Sequence, residues 1–227
     1  HEFLPQDKKQ ISHLSQLTGV SINEIENNIL QLYESNPMLG HRGCRLGISY
    51  PEITEMQATA ILGATANLMR EGIEANPEIM IPLVGSINEF NHQKTIIEKC
   101  AHQIELKNDI KLNYKIGTMI ELPRACLTAS KIAQSADFFS FGTNDLTQTT
   151  FGFSRDDVSS LLNDYVKNNI ILQDPFQSLD IDGVGRLIEI AVQEARMVNP
   201  KIKIGICGEH GGDPQSIAFF KKQGLDY

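Results

Sequence analysis

From about residue 38 onward, short apolar runs alternate with amphipathic stretches, and this alternation limits the fold more than any other feature of the chain. EIMIPLV (78–84), YKIGTMIEL (114–122), ADFFSFGT (136–143) and KIKIGICGE (201–209) have the length and residue types of buried strands. Between them lie helical patterns. PEITEMQATAILGATANLMREG places Ile53, Met56, Ala60, Ile61, Ala64 and Leu68 on one face, and GVGRLIEIAVQEARMV does the same with Val184, Leu187, Ile188, Ala191, Ala195 and Val198. Further helices are expected over INEFNHQKTIIEKCAHQIEL, RACLTASKIAQSA and the polar excursion SRDDVSSLLNDYVKNN. DPQSIAFFKKQG starts another helix, with Asp213 as cap and Pro214 at its first position. Upstream, SINEIENNILQLYESNP starts with a capping box, Ser21 and Glu24, and is expected to stop before Pro37. Strand, helix, strand with short connections predicts a parallel sheet, either doubly wound or part of a (β/α)8 barrel. A fifth strand is expected around residues 42–48. No linker divides the chain, so one domain is expected.

Composition narrows the class. The 227 residues are 41% hydrophobic with a formal net charge of −8, which argues against a surface built mainly for nucleic acid. Cys44, Cys100, Cys126 and Cys207 have no paired spacing, the usage of a reduced compartment rather than of a disulfide framework or a zinc site. No apolar run is long enough to span a bilayer. The chain opens on HEFLPQDKK without Met, so an N-terminal segment is expected to be missing.

In parallel α/β folds, active sites lie at the C-terminal ends of strands. There this sequence places Glu121, then Thr143, Asn144 and Asp145, then Cys207, Gly208, Glu209 and His210, with Arg42 and Arg45 in GHRGCRLG. Neighbouring carboxylates at Glu121 and Asp145 repel unless a cation lies between them, and Mg2+ takes one or two carboxylates plus substrate oxygens. Alternatively, Asp145 caps a helix and Glu121 pairs with Arg124. Arg42, Arg45 and Arg155 are candidates for gripping a phosphate or carboxylate. Cys207 is either an inert small hydrophobe or an acid–base thiol. His210 reads better as a satisfied loop histidine than as a ligand. Spacing alone thus points to a Mg2+ site for a small anion and leaves the reaction open.

The runs NPMLGHRGCRLGISYPEI, EIMIPLVG, GTMIELPRACLTA, FFSFGTNDLTQTTFGFSRDD and GICGEHGGDP resemble the C-terminal phosphoenolpyruvate- and pyruvate-binding domain of the pyruvate, phosphate dikinase family, over residues 1–227. Phosphoenolpyruvate synthase and enzyme I of the bacterial sugar phosphotransferase system share the GTNDLTQ pattern and the cysteine. The resemblance implies an α/β fold, a (β/α)8 TIM-type barrel that is incomplete here and lacks its first and last strands. It implies that Glu121 and Asp145 hold Mg2+, and that Arg42, Gly142, Thr143, Asn144 and Arg155 contact the substrate. Cys207 would move the proton at the methyl carbon.

The implied partners are pyruvate or phosphoenolpyruvate, a phosphohistidine domain elsewhere in a longer chain, and a second copy in a homodimer. Neither nucleic acid nor membrane is among them. The implied location is cytoplasmic or an organellar matrix. This chain alone is expected not to complete the ATP-driven reaction. Two other readings stay open: a Mg2+-dependent lyase or aldolase acting on a pyruvate enolate, and a non-catalytic assembly module.

Overall fold

The computed structural model describes residues 4–5, 7–32, 39–155 and 158–227. They fall into two compact units, His1–Arg42 and Gly43–Tyr227.

In the first unit, helix α1 (Lys8–Thr18) starts at Asp7, whose carboxylate accepts the N–H groups of Lys9 and Gln10. It ends at Gly19, in the left-handed conformation (φ 73°) that glycine adopts at little cost. Helix α2 (Ile22–Leu32) keeps half of the expected capping box: the Glu24 N–H donates to Ser21 Oγ at 3.3 Å. Its expected stop before Pro37 lies outside the described residues.

The second unit is built on four parallel strands in the order β1-β2-β3-β4: Glu78–Ile81, Lys115–Ile120, Phe138–Phe141 and Lys203–Ile206. All four expected strands are present, each shorter than its apolar run. β1 stops early because Pro82 has no N–H to donate and Leu83 takes a left-handed backbone (φ 61°). The register aligns Ile120 with Phe141 and Phe141 with Ile206. β3 is buried throughout, as a strand covered on both faces must be.

Before the sheet come α3 (Cys44–Ser49) and α4 (Pro51–Arg70). After β1 comes α5 (Ile87–Asn108), and after β2 the short helices α6 (Pro123–Cys126) and α7 (Ala129–Ile132). α8 (Thr143–Phe151) follows β3 directly, and α9 (Ser159–Lys167) forms the excursion. A π-helical turn (Ile181–Gly185) leads into α10 (Arg186–Val198), and α11 (Pro214–Lys222) follows β4. Helix α5 shows why these segments are helical. Ser86 caps it by accepting the Glu89 N–H, and Phe90, Ile97, Cys100, Ala101 and Ile104 recur at helical spacing on its buried side.

Two expectations need correction. Residues 42–48 hold no strand: Gly43 (φ 56°) turns the chain into α3, which packs on α5 through Gly47, where a Cβ would fall 2.4 Å from Gln93 Oε1. Helix α4 buries Ala58, Leu62, Thr65 and Ala66 rather than the face carrying Met56, which is 64% exposed. Ala58 and Ala66 flank Leu62 on the buried side, while Met56, Ile61 and Leu68 stay outside. The α10 face is as expected at Val184, Ile188, Ala191 and Ala195, while Val198 is exposed.

Candidate functional site

One residue beyond the aligned row Ile120–Phe141–Ile206 stand Glu121, Gly142 and Cys207. Side chains alternate along a strand, so Glu121 and Cys207 rise from the same face of the sheet, two strand spacings or about 10 Å apart at the backbone. Gly142 lies between them, and a Cβ there would come within 2.5 Å of Glu121 Oε2. The glycine is therefore required by the carboxylate beside it.

Glu121 is 2% exposed, and its Oε1 accepts the N–H of Leu83 at 2.6 Å. The left-handed turn at Leu83 aims that amide at the carboxylate, and Cys44 Sγ–H donates to the Leu83 carbonyl at 3.1 Å. A non-glycine residue in this conformation stores strain, a feature often concentrated at functional sites. Arg124 donates to the carbonyl of Gly85.

Asp145 is in the first turn of α8 and half-buried. Gln148 joins it to the next candidate: its Nε2 donates to Asp145 Oδ1 at 3.5 Å, and its Oε1 accepts the Arg155 N–H at 2.8 Å. Arg155 is exposed and forms an ion pair with Glu209. Thr143 is fully buried and Asn144 half-buried, both in the same first turn.

Cys207 is exposed, and its N–H donates to the Phe141 carbonyl at 3.1 Å. Its sulfur lies 3.6 Å from the same carbonyl oxygen. Burial pushes the thiol above its ordinary pKa, the neighbouring Ser140 hydroxyl pulls it partly back, and the Glu121 charge adds a smaller upward push. Cys44 and Cys126 are buried and pushed up to about 12 by desolvation, as inert thiols are.

The structure thus gathers Glu121, Gly142, Thr143, Asn144, Asp145, Arg155 and Cys207 at one end of the sheet. Arg42 is the last residue of the first unit, and Arg45 lies half-buried on α3 of the second. Among the described residues no group of three or more His, Cys, Asp or Glu side chains is placed to hold a metal ion. Glu121 and Asp145 are carboxylates, the donor type that Mg2+ takes one or two of beside water and substrate oxygens.

Sequence reasoning passed over Leu83, and it placed Glu209 and His210 on the rim without their partners; the reading of His210 as a satisfied loop histidine holds. Leu83 carries no local signal, since nothing in IPLVG marks a leucine for the left-handed region. His210 is fully buried, with Nδ1 2.7 Å from Thr143 Oγ1 and Nε2 2.8 Å from the Pro175 carbonyl. Glu209 donates its N–H to Asn144 Oδ1 at 3.2 Å. The glycines of GEHGGD were the available hint for the last two.

Residues 5–227 match the family described as PEP-utilising enzyme, PEP-binding domain, PEP being phosphoenolpyruvate. The chain is 54% identical over 229 residues to pyruvate, phosphate dikinase, chloroplastic, of Mesembryanthemum crystallinum, and 54% to pyruvate, phosphate dikinase 1, chloroplastic, of Arabidopsis thaliana. It is 50% identical over 228 residues to pyruvate, phosphate dikinase of Clostridium symbiosum. Each alignment covers 100% of this chain but 24%, 24% and 26% of those proteins, so the chain spans about a quarter of their length. With almost every residue inside the match, the chain belongs to the PEP-utilising enzyme family, through its PEP-binding domain.

Proposed function

We propose that the C-terminal rim of the sheet binds pyruvate and phosphoenolpyruvate and interconverts them, as one half-site of a dikinase. The row Glu121–Gly142–Cys207 carries this reading: a buried carboxylate and an exposed thiol flank a slot that only glycine leaves open. Asn144, Arg155 and the backbone around Gly142 and Thr143 bind the substrate's carboxylate or phosphate. Mg2+ held by Glu121 and Asp145 would supply Lewis-acid stabilisation of the charge that develops on the enolate oxygen. Toward phosphoenolpyruvate, the Cys207 thiolate takes a methyl proton from pyruvate and the C=C bond forms. The enolate oxygen then attacks phosphorus, and the N–P bond of a phosphohistidine on another domain breaks. In reverse, the Cys207 thiol protonates the methylene carbon. Its raised pKa favours the thiol at neutral pH and so suits this acid role.

The same reading makes residues 1–227 part of a (β/α)8 barrel within a longer, homodimeric chain whose other domains carry nucleotide and phosphohistidine. The curved sheet supports it. Lys203 on β4 reaches Glu78 on β1 at 2.9 Å, across outer strands that a flat sheet would hold about 14 Å apart. Beyond β4, the Asp226 N–H donates to the Ile204 carbonyl, so the chain there already lies beside the sheet edge. A cytoplasmic or organellar-matrix location belongs to this proposal; the plant relatives are named chloroplastic. Among the described residues no helix is long and apolar enough to cross a membrane.

Calorimetry with oxalate, a planar mimic of the pyruvate enolate, tests the half-site. Binding is expected with Mg2+ present, not without it, and is lost in Asp145→Ala. A folded chain that binds no oxalate under any condition would sink the reading.

A further inference from the structure

The loop after Cys207 grips the anion-binding candidates on α8. Gly208 passes so close to Thr143 that a Cβ would fall 2.0 Å from its Oγ1. The Glu209 N–H holds Asn144 Oδ1, and the Glu209 carboxylate holds Arg155. His210, fully buried, touches the Thr143 hydroxyl on one side and the Pro175 carbonyl on the other.

The chemistry of that bridge fixes its protons. A carbonyl oxygen only accepts, so Nε2 carries the hydrogen that points at Pro175. In the neutral ring Nδ1 is then a lone pair, and the Thr143 hydroxyl must donate to it. The one proton of Thr143 is committed, and the side chain at the start of α8 has a single orientation. Pro175 belongs to the excursion between α9 and α10, and its carbonyl anchors the ring from behind.

We infer that His210 is a positioning residue: bridging the Pro175 carbonyl and the Thr143 hydroxyl it locks Thr143, and through the loop it sets Cys207 against the anion-binding turn of α8. The inference rests on the half-site reading, because only that reading makes the turn an anion cradle. A buried histidine with a purely structural role would need two partners of any kind. Here one partner is the first residue of the turn that also carries Asn144 and Asp145, and the bridge starts three residues after the proposed acid–base thiol.

The geometry separates two substitutions. In His210→Asn the amide oxygen stands near the position of Nδ1 and can accept from Thr143, while the Pro175 anchor is lost. In His210→Gln the amide nitrogen stands near Nε2 and can donate to Pro175, while Thr143 loses its acceptor. The readout is alkylation of Cys207 by iodoacetamide, alone and with Mg2+ plus oxalate; the other three cysteines are buried.

His210→Gln is expected to change the bare alkylation rate by about threefold or more, and to raise the oxalate needed for protection about tenfold. His210→Asn is expected to stay within about twofold of the parent chain in both. Equal behaviour of the two variants, or a worse result for Asn, overturns the inference. If His210→Gln does not fold, Thr143→Val removes the same bond from its other end and is expected to give the same changes; unchanged rates there overturn it too. Lack of protection in the parent chain strikes the half-site reading, and the bare rates still decide the positioning role.

Discussion

The two ends of the sheet handle carboxylates in opposite ways. At the N-terminal end, Glu78 lies between Lys115 at 3.5 Å and Lys203 at 2.9 Å, all three partly open to solvent. The lysines hold its carboxyl below the usual range, and Lys203 also lies 4.7 Å from the ring centre of Tyr227. At the C-terminal end, Glu121 is removed from solvent and oriented by a backbone amide in a strained turn, against a glycine that leaves room for nothing else. One end neutralises charge with long, solvent-accessible side chains; the other fixes a charge with backbone geometry. Solvent-accessible pairs tolerate substitution, whereas a buried, oriented carboxylate does not, and this asymmetry can be broken by experiment.

The largest effect is expected at the fixed end. Glu121→Gln should weaken Mg2+-dependent oxalate binding by at least about a hundredfold, whereas Glu78→Gln should leave it within about twofold. Paired titrations under one buffer check this. Comparable losses in both variants would mean that the two ends do not divide the work.

Glycine substitutions sharpen the same contrast. Gly142→Ala brings a methyl group against the Glu121 carboxylate and should cost about 2 kcal/mol of stability, with oxalate binding lost. Gly63→Ala, inside α4 with nothing near its added carbon, should instead gain about 0.5–1 kcal/mol and leave binding unchanged. Denaturant midpoints for both variants, with binding measured beside them, separate crowding at the rim from simple backbone stiffening.

How far the sequence anticipates this arrangement depends on the kind of information each residue carries. Short apolar runs gave away all four strands, and polar residues at their ends gave away the rim, because burial and strand termini leave composition signals. The stretch 42–48 misled because Cys, Leu and Ile there suit a strand, while Gly43 takes a positive φ that only coordinates reveal. Helix α4 misled because two of its faces carry apolar residues at helical spacing, and the pattern alone does not say which of them packs on α5. Leu83 was illegible, and the partners of the satisfied His210 unnamed, for a third reason: these contacts join residues 38 and 67 positions apart, which no local pattern encodes.

A smaller effect concerns Cys207. With its thiol pKa raised, alkylation at neutral pH should be slower than for a free thiol and should climb as pH rises through the shifted value. Glu121→Gln removes a charge that opposes the thiolate, so the midpoint should move down. An upward movement would show that Glu121 acts on the sulfur by some route other than its charge.

The smallest effect belongs to the open pair at the other end. Glu78 has a folded-state pKa below its unfolded value, so its stabilising contribution is fully present above the unfolded pKa of about 4.3 and is lost as pH falls through the lower folded value. Thermal unfolding from pH 6 down to pH 2.5 should therefore show a shallow acid limb that Glu78→Gln flattens. Because the pair is partly open to solvent, the difference should stay within about 3 °C and shrink in high salt. A steep limb that persists in Glu78→Gln would place the acid sensitivity in other carboxylates. The N-terminal lysines would then be surface decoration rather than a tie between the outer strands.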